Sequence, residues 1–117
     1  MIRGFEEQTH DLTPEEIKSM GIIKIWLCST TSKNPITNKT IRKRLKGFKI
    51  EIADSRIRKI INHLRITGKI SLLLASSKGY YVSSDPSEIK EYIISLEERI
   101  GAISGVREAI TSQFENL

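Results

Sequence analysis

The chain has 117 residues, one cysteine and a net charge of +5, which suits one domain with a real core but leaves no room for a catalytic and a regulatory domain together. The single Cys28 excludes an internal disulfide, and no Cys/His spacing matches a zinc site, so apolar packing must hold the fold. No apolar run approaches a membrane span. Met1 to Leu12 carries Glu6, Glu7 and Asp11 instead of an export signal, so a reducing, cytoplasmic location is expected, with no membrane partner.

The charge is concentrated rather than spread. Lys33 to Gly79 holds 13 Lys/Arg against only Glu51 and Asp54, a local charge of +11, while the rest of the chain carries −6. A segment so one-sided is suited to a polyanion, although charge runs also serve simply to solvate a surface.

Taken in order, residues 1–12 read as an N-terminal arm. Leu12-Thr13-Pro14-Glu15-Glu16-Ile17 then opens a helix, with Thr13 as N-cap, Pro14 at the first helical position, Glu16 closing a capping box and Leu12 stapling Ile17. The helix is expected to reach about Ser32, where Asn34-Pro35 ends it. Its second half (Ile22, Ile23, Ile25, Trp26, Leu27) is apolar nearly all round and predicts burial on more than one side, with Cys28 a buried, inert thiol. A second helix is expected from Asn38 to about Lys46, capped by Thr37, stapled by Ile36 on Ile41 and closed by Gly47. The alternation in Phe48-Lys49-Ile50-Glu51-Ile52 suits a short strand.

A third helix is expected from about Ser55 to Thr67, started by Asp54 and stopped by Gly68, with Ile57, Ile60, Ile61 and Leu64 facing the core. Its other side presents Ser55, Arg56, Lys59, Asn62 and His63, flanked by Arg58 and Arg65. Ile70 to Ala75 and Tyr80 to Ser83 read as two strands of a hairpin around Ser76-Ser77-Lys78-Gly79, with Gly79 at positive φ, Tyr80 and Val82 inward and Tyr81 partly exposed. Exposed, Tyr81 would offer a stacking surface for single-stranded bases.

Residues 85–117 form a helical extension opened by Asp85-Pro86-Ser87-Glu88. Its stripe of Ile89, Ile93, Leu96, Ile100 and Ile103 has a mean period near 3.5 residues, as in a coiled coil. An unbroken helix from Pro86 to Glu115 would be about 45 Å long, beyond the roughly 30 Å of a small domain. It must break at Gly101 or Gly105, fold back on the first helix, or find a partner; a homodimer through the first and last helices is one expectation.

The fold class expected is therefore mainly α with a small antiparallel β-sheet. Over residues 13–84 the order matches a winged helix-turn-helix, in which the third helix enters the major groove of DNA and the hairpin flanks it. The segment Ile57-Arg58-Lys59-Ile60-Ile61-Asn62-His63-Leu64-Arg65, then Gly68, then Ala75-Ser76-Ser77-Lys78-Gly79-Tyr80-Tyr81, resembles the recognition helix and wing of small winged-helix proteins of bacteriophages and prophages. The opening Gly4-Phe5-Glu6-Glu7-Gln8-Thr9-His10-Asp11-Leu12-Thr13 resembles that of uncharacterised members. The resemblance implies a DNA-binding module in mobile-element replication, excision or transcriptional control, and it carries no active site.

On this reading double-stranded DNA is the partner. Ser55, Arg56, Arg58, Lys59, Asn62 and His63 are the recognition-helix set, with Arg56 or Lys59 suited to guanine and Asn62 to adenine. Lys39, Arg42, Lys43 and Lys46 are suited to phosphates, and Ser76, Ser77 and Lys78 form the wing. Winged helices also dock on proteins, so an interaction module for an acidic partner is the alternative. Enzymatic function is not expected: His10 and His63, the only histidines, lie in different elements, no Gly-rich phosphate loop occurs, and no catalytic, metal or cofactor residues are assigned.

Overall fold

The computed structural model describes residues 11–117. The expected arm therefore lies outside the described residues except for Asp11 and Leu12. Among the described residues four helices, α1 (Pro14–Cys28), α2 (Asn38–Gly47), α3 (Asp54–Ile66) and α4 (Pro86–Glu115), accompany a two-stranded antiparallel sheet of β1 (Leu73–Ser76) and β2 (Gly79–Val82). The chain divides into two compact units, one ending at Ser83 and one running from Ser84 to Leu117.

In the first unit α1 opens as its sequence dictates. The Thr13 hydroxyl accepts from Glu16 N, and Glu16 Oε1 accepts from Thr13 N at 2.8 Å. It closes earlier than expected, at Cys28 rather than Ser32. Ser29 and Thr30 cause this: their hydroxyls donate to the carbonyls of Ile25 (3.1 Å) and Leu27 (2.6 Å), so the side chains compete with the main chain for the helix's own acceptors. Thr30 Oγ1 also accepts from Val82 N at 3.1 Å, stitching the helix end to β2. Burial is one-sided as well. Ile23 and Leu27 are fully buried, Ile22 and Trp26 partly, and Ile25 is exposed. Cys28 is exposed, not buried as its apolar surroundings in sequence suggested.

The core is built on the expected stripes. Ile41 and Leu45 of α2 and Ile57, Ile60, Ile61 and Leu64 of α3 are completely buried, together with Ile23 and Leu27. Each such side chain contributes about 1.5–3 kcal/mol by leaving water. The segment after α2 is not a strand. Phe48 N and Ile50 N both donate to Leu45 O, Lys49 N donates to Lys46 O, and Lys49 takes φ 61°. The last carbonyls of α2 therefore capture the chain that was expected to extend. Lys49, not Gly47, supplies the left-handed residue that closes the helix. Ile52 is nonetheless buried.

α3 starts one residue early, with Ala53 as N-cap and no side-chain cap. Asp54 sits in its first turn, 3.7 Å from Arg42. After Gly68 at φ 75° the chain reaches β1 later than expected, because Leu72 at φ 58° interrupts the extended run. β1 and β2 pair Leu73 with Val82 and Ser76 with Gly79. Tyr80 and Val82 pack against the core, and Tyr81 is partly buried.

Ile36, expected only as the staple of α2, adds an isolated bridge to the sheet. Ile36 N donates to Tyr80 O at 2.9 Å and Tyr80 N donates to Ile36 O at 2.7 Å, so the residue just before α2 pairs with β2. Gly79 has φ 127°, and a Cβ there would lie 2.5 Å from Ile36 O. The glycine is thus required twice, by its dihedral and by the close backbone. Gly79→Ala should cost at least about 2 kcal/mol in chemical denaturation; a variant as stable as the parent would contradict the close approach.

In the second unit α4 is one continuous helix through Gly101 and Gly105, so of the alternatives left open by the sequence the break does not occur. Asp85 accepts from Ser87 N at 3.0 Å as N-cap, and no residue of the helix is buried. Among the described residues, no helix is long and apolar enough to cross a membrane.

Candidate nucleic-acid interface

The candidate surface depends on which way α3 is turned about its axis. Arg56 decides this. Its Nε donates to Glu16 Oε2 and its Nη2 to Glu16 Oε1, both at 2.6 Å, and Nη2 also reaches Asp11 O at 2.8 Å. The two side chains are only 14% and 7% exposed. This two-pronged, charge-assisted pair joins α1 to the first turn of α3. Arg56, expected on the groove-facing set, is instead an internal tie.

Glu16 shares the inward register of Met20, Ile23 and Leu27, at steps of four, three and four. An acid in a core stripe requires a buried cation, and that signal was legible in the sequence, where Glu16 had been assigned only to the cap.

Ser55 is also removed from the expected set, because it is buried. The start of α2 lies against the start of α3 there, with Asn38 Nδ2 3.5 Å from Asp54 O. A helical wheel alone puts Ser55 outside, but position in the first turn, under a neighbouring helix, overrides it.

The remaining four residues of the expected set do come together. Arg58, Lys59, Asn62 and His63 line one open depression on α3, joined by Ile66. Ile66 is 84% exposed, an apolar side chain amid the cations that the sequence reading did not single out. Arg58 also lines a second depression with Thr37 and Asn38 of the α2 start and Ala75, Ser76, Ser77 and Gly79 of the hairpin. It therefore stands where α2, α3 and the hairpin turn meet. Ser76, Ser77 and Lys78 are all exposed at that turn, with Ser76 Oγ accepting from Lys78 N at 3.2 Å.

Lys39, Arg42, Lys43 and Lys46 line a third depression along α2. They are not equivalent. Arg42 lies 3.7 Å from Asp54 and Lys46 3.7 Å from Glu51, so the only two acids of the basic segment each engage one of the four. Lys39 and Lys43 stand exposed one helical turn apart. Arg44 lies over the Trp26 ring, 5.5 Å from its centroid, and Phe48 stacks obliquely on Trp26 at 6.3 Å, which gives this cation an intramolecular partner.

Among the described residues, no group of three His, Cys, Asp or Glu side chains is placed to hold a metal ion. The chain matches no family model, no curated protein and no solved structure.

The acidity of Glu16 is strongly displaced. The Arg56 hydrogen bonds, offset in part by burial and helped by Thr13, hold its carboxyl at about 2 against an ordinary 4.5. A carboxylate with a depressed folded-state value contributes stability above its unfolded value, and the contribution is lost as pH falls through the folded one. Glu16→Gln retains the capping-box acceptor and removes the charge. It should lower stability at pH 7 by about 2–3 kcal/mol. Denaturant unfolding should then find the gap between parent and variant closing as pH falls from about 4.5 toward 2; a gap independent of pH would contradict the ion pair.

Proposed function

We propose that the chain is a winged helix-turn-helix protein that binds duplex DNA and catalyses no reaction, with α3 in the major groove and the β1–β2 hairpin as its wing. The observation that carries this reading is the meeting of Arg58, Lys59, Asn62 and His63 on the outer side of α3, next to the hairpin turn. Arg58 offers a planar fork matched to the two acceptors of guanine, and Asn62 a donor and acceptor matched to adenine. Lys39 and Lys43 supply point charges for phosphates on one flank, and Lys78 does so on the other. The resemblance of the 57–65 and 75–81 segments to phage and prophage winged-helix proteins supports a role in mobile-element replication, excision or transcription. With such a target the protein acts in the cytoplasm.

The three phosphate contacts of Lys39, Lys43 and Lys78 imply that log affinity falls with log salt at a slope of about −3. Titrations of a duplex at several salt concentrations should return that slope; absent or salt-insensitive binding would overturn the reading. With a site selected from a random duplex pool, Arg58→Ala and Asn62→Ala should each weaken the selected site about 10- to 100-fold more than random DNA. Lys39→Ala with Lys43→Ala should weaken both alike and reduce the slope by about 2. Feeble, sequence-blind binding with no effect of Arg58→Ala would favour docking on an acidic protein instead.

A further inference from the structure

The second unit poses a problem of its own. α4 spans 30 residues with no buried side chain and with Gly101 and Gly105 in its interior. Each glycine costs about 1 kcal/mol relative to alanine. No close approach explains them, since a Cβ at either would meet nothing within 4 Å. Helices in proteins draw most of their stability from packing an apolar face, and α4 has such a face. From Ile89 to Leu117 apolar residues recur at alternating steps of four and three, and the exposed members include Ile93, Leu96, Ile100, Ile103, Ile110 and Phe114. One position breaks the pattern, and it is Arg107.

We propose that α4 pairs with α4 of a second copy as an antiparallel two-stranded coiled coil, with the twofold axis between Gly101 and Ala102. The period, the area and the charges each favour this occupant. The stripe has the 3.5-residue repeat of a coiled-coil seam sustained over nearly four heptads. Its seven apolar positions within α4, at roughly 100 Å² each, offer about 700 Å² per chain, close to the size of a standard stable interface.

Arg107 sets the direction. A parallel pair in register stacks Arg107 on Arg107 inside the seam, two like charges in a dry layer. The antiparallel register that aligns Ile100 with Ile103 of the second copy also aligns Ile93 with Ile110 and Ile89 with Phe114. Arg107 then falls opposite Leu96, with Glu97 of the second copy beside it on the same flank. Symmetry repeats that ion pair, so one surface complements itself, as a twofold interface requires. The glycines lie away from the seam and leave it intact. This pairing stands on α4 alone and is independent of the DNA reading.

Sedimentation of the full chain should find a dimer, and Ile100→Asp, at an exposed position of α4, should give a folded monomer. Arg107→Glu or Glu97→Arg alone should raise the dimer dissociation constant at least about tenfold, and the two together should restore it. In a Cys28→Ser background, Ile93→Cys and Ile110→Cys chains mixed under oxidation should join to each other and not to themselves. A monomeric parent at high concentration, or disulfides formed by either variant with itself alone, would overturn the proposal.

Discussion

The Glu16–Arg56 ion pair is the constraint on which the rest of the first unit turns. Residues 56 and 58 lie about 200° apart around a helix, so fixing one inward sends the other outward. With Arg56 held by both carboxylate oxygens of Glu16, α3 can bury Ile57, Ile60, Ile61 and Leu64 and must present Arg58 and Asn62. A buried ion pair is weak evidence of net stabilisation, because desolvation consumes much of its Coulombic gain. Its value here is orientation: a slip of α3 about its axis would leave a buried carboxylate unpaired.

A second constraint brings the hairpin to the helices. Ile36 pairs its backbone with Tyr80 immediately before α2 begins, and Gly79 permits the approach. The same few residues thereby fix the hairpin turn beside Thr37 and Asn38, which is why Arg58 borders both depressions. The cations of the basic segment are then sorted by its two acids. Asp54 pairs with Arg42 and Glu51 with Lys46, each at 3.7 Å, leaving Lys39 and Lys43 for an outside partner. The proposed DNA surface is accordingly narrower than the charge count suggests.

How much of this was legible in the sequence follows from the range of the interactions involved. Caps and stripes are local, so Thr13 with Glu16, the four apolar positions of α3, the stop at Gly68 and the hairpin turn could be read directly. Helix ends that depend on side chains competing for carbonyls were misjudged, at Ser29 and Thr30 in α1 and at Lys49 after α2. An alternating pattern over 48–52 gave no sign that the chain would curl back onto Leu45. Tertiary pairings were the least accessible: Ile36 with Tyr80, and Arg56 with Glu16 across 40 residues. For the candidate site this meant that Ser55 and Arg56 were assigned to the wrong side, while Lys59, Asn62 and His63 lie on the outer side as periodicity indicates, and Arg58, read as a flank, lies with them. Ile66 went unremarked because helical phase gave no reason for an apolar side chain there.

The central claim, that the outer side of α3 with the neighbouring hairpin turn is a duplex-DNA surface, is tested most directly by amide NMR of the labelled chain during titration with a short duplex. The account predicts that the largest shifts fall on residues 58–66, 76–78 and 39–43, and that the amides of α1 stay unmoved. Shifts concentrated on α1, or none at DNA concentrations that saturate known DNA-binding domains, would contradict it.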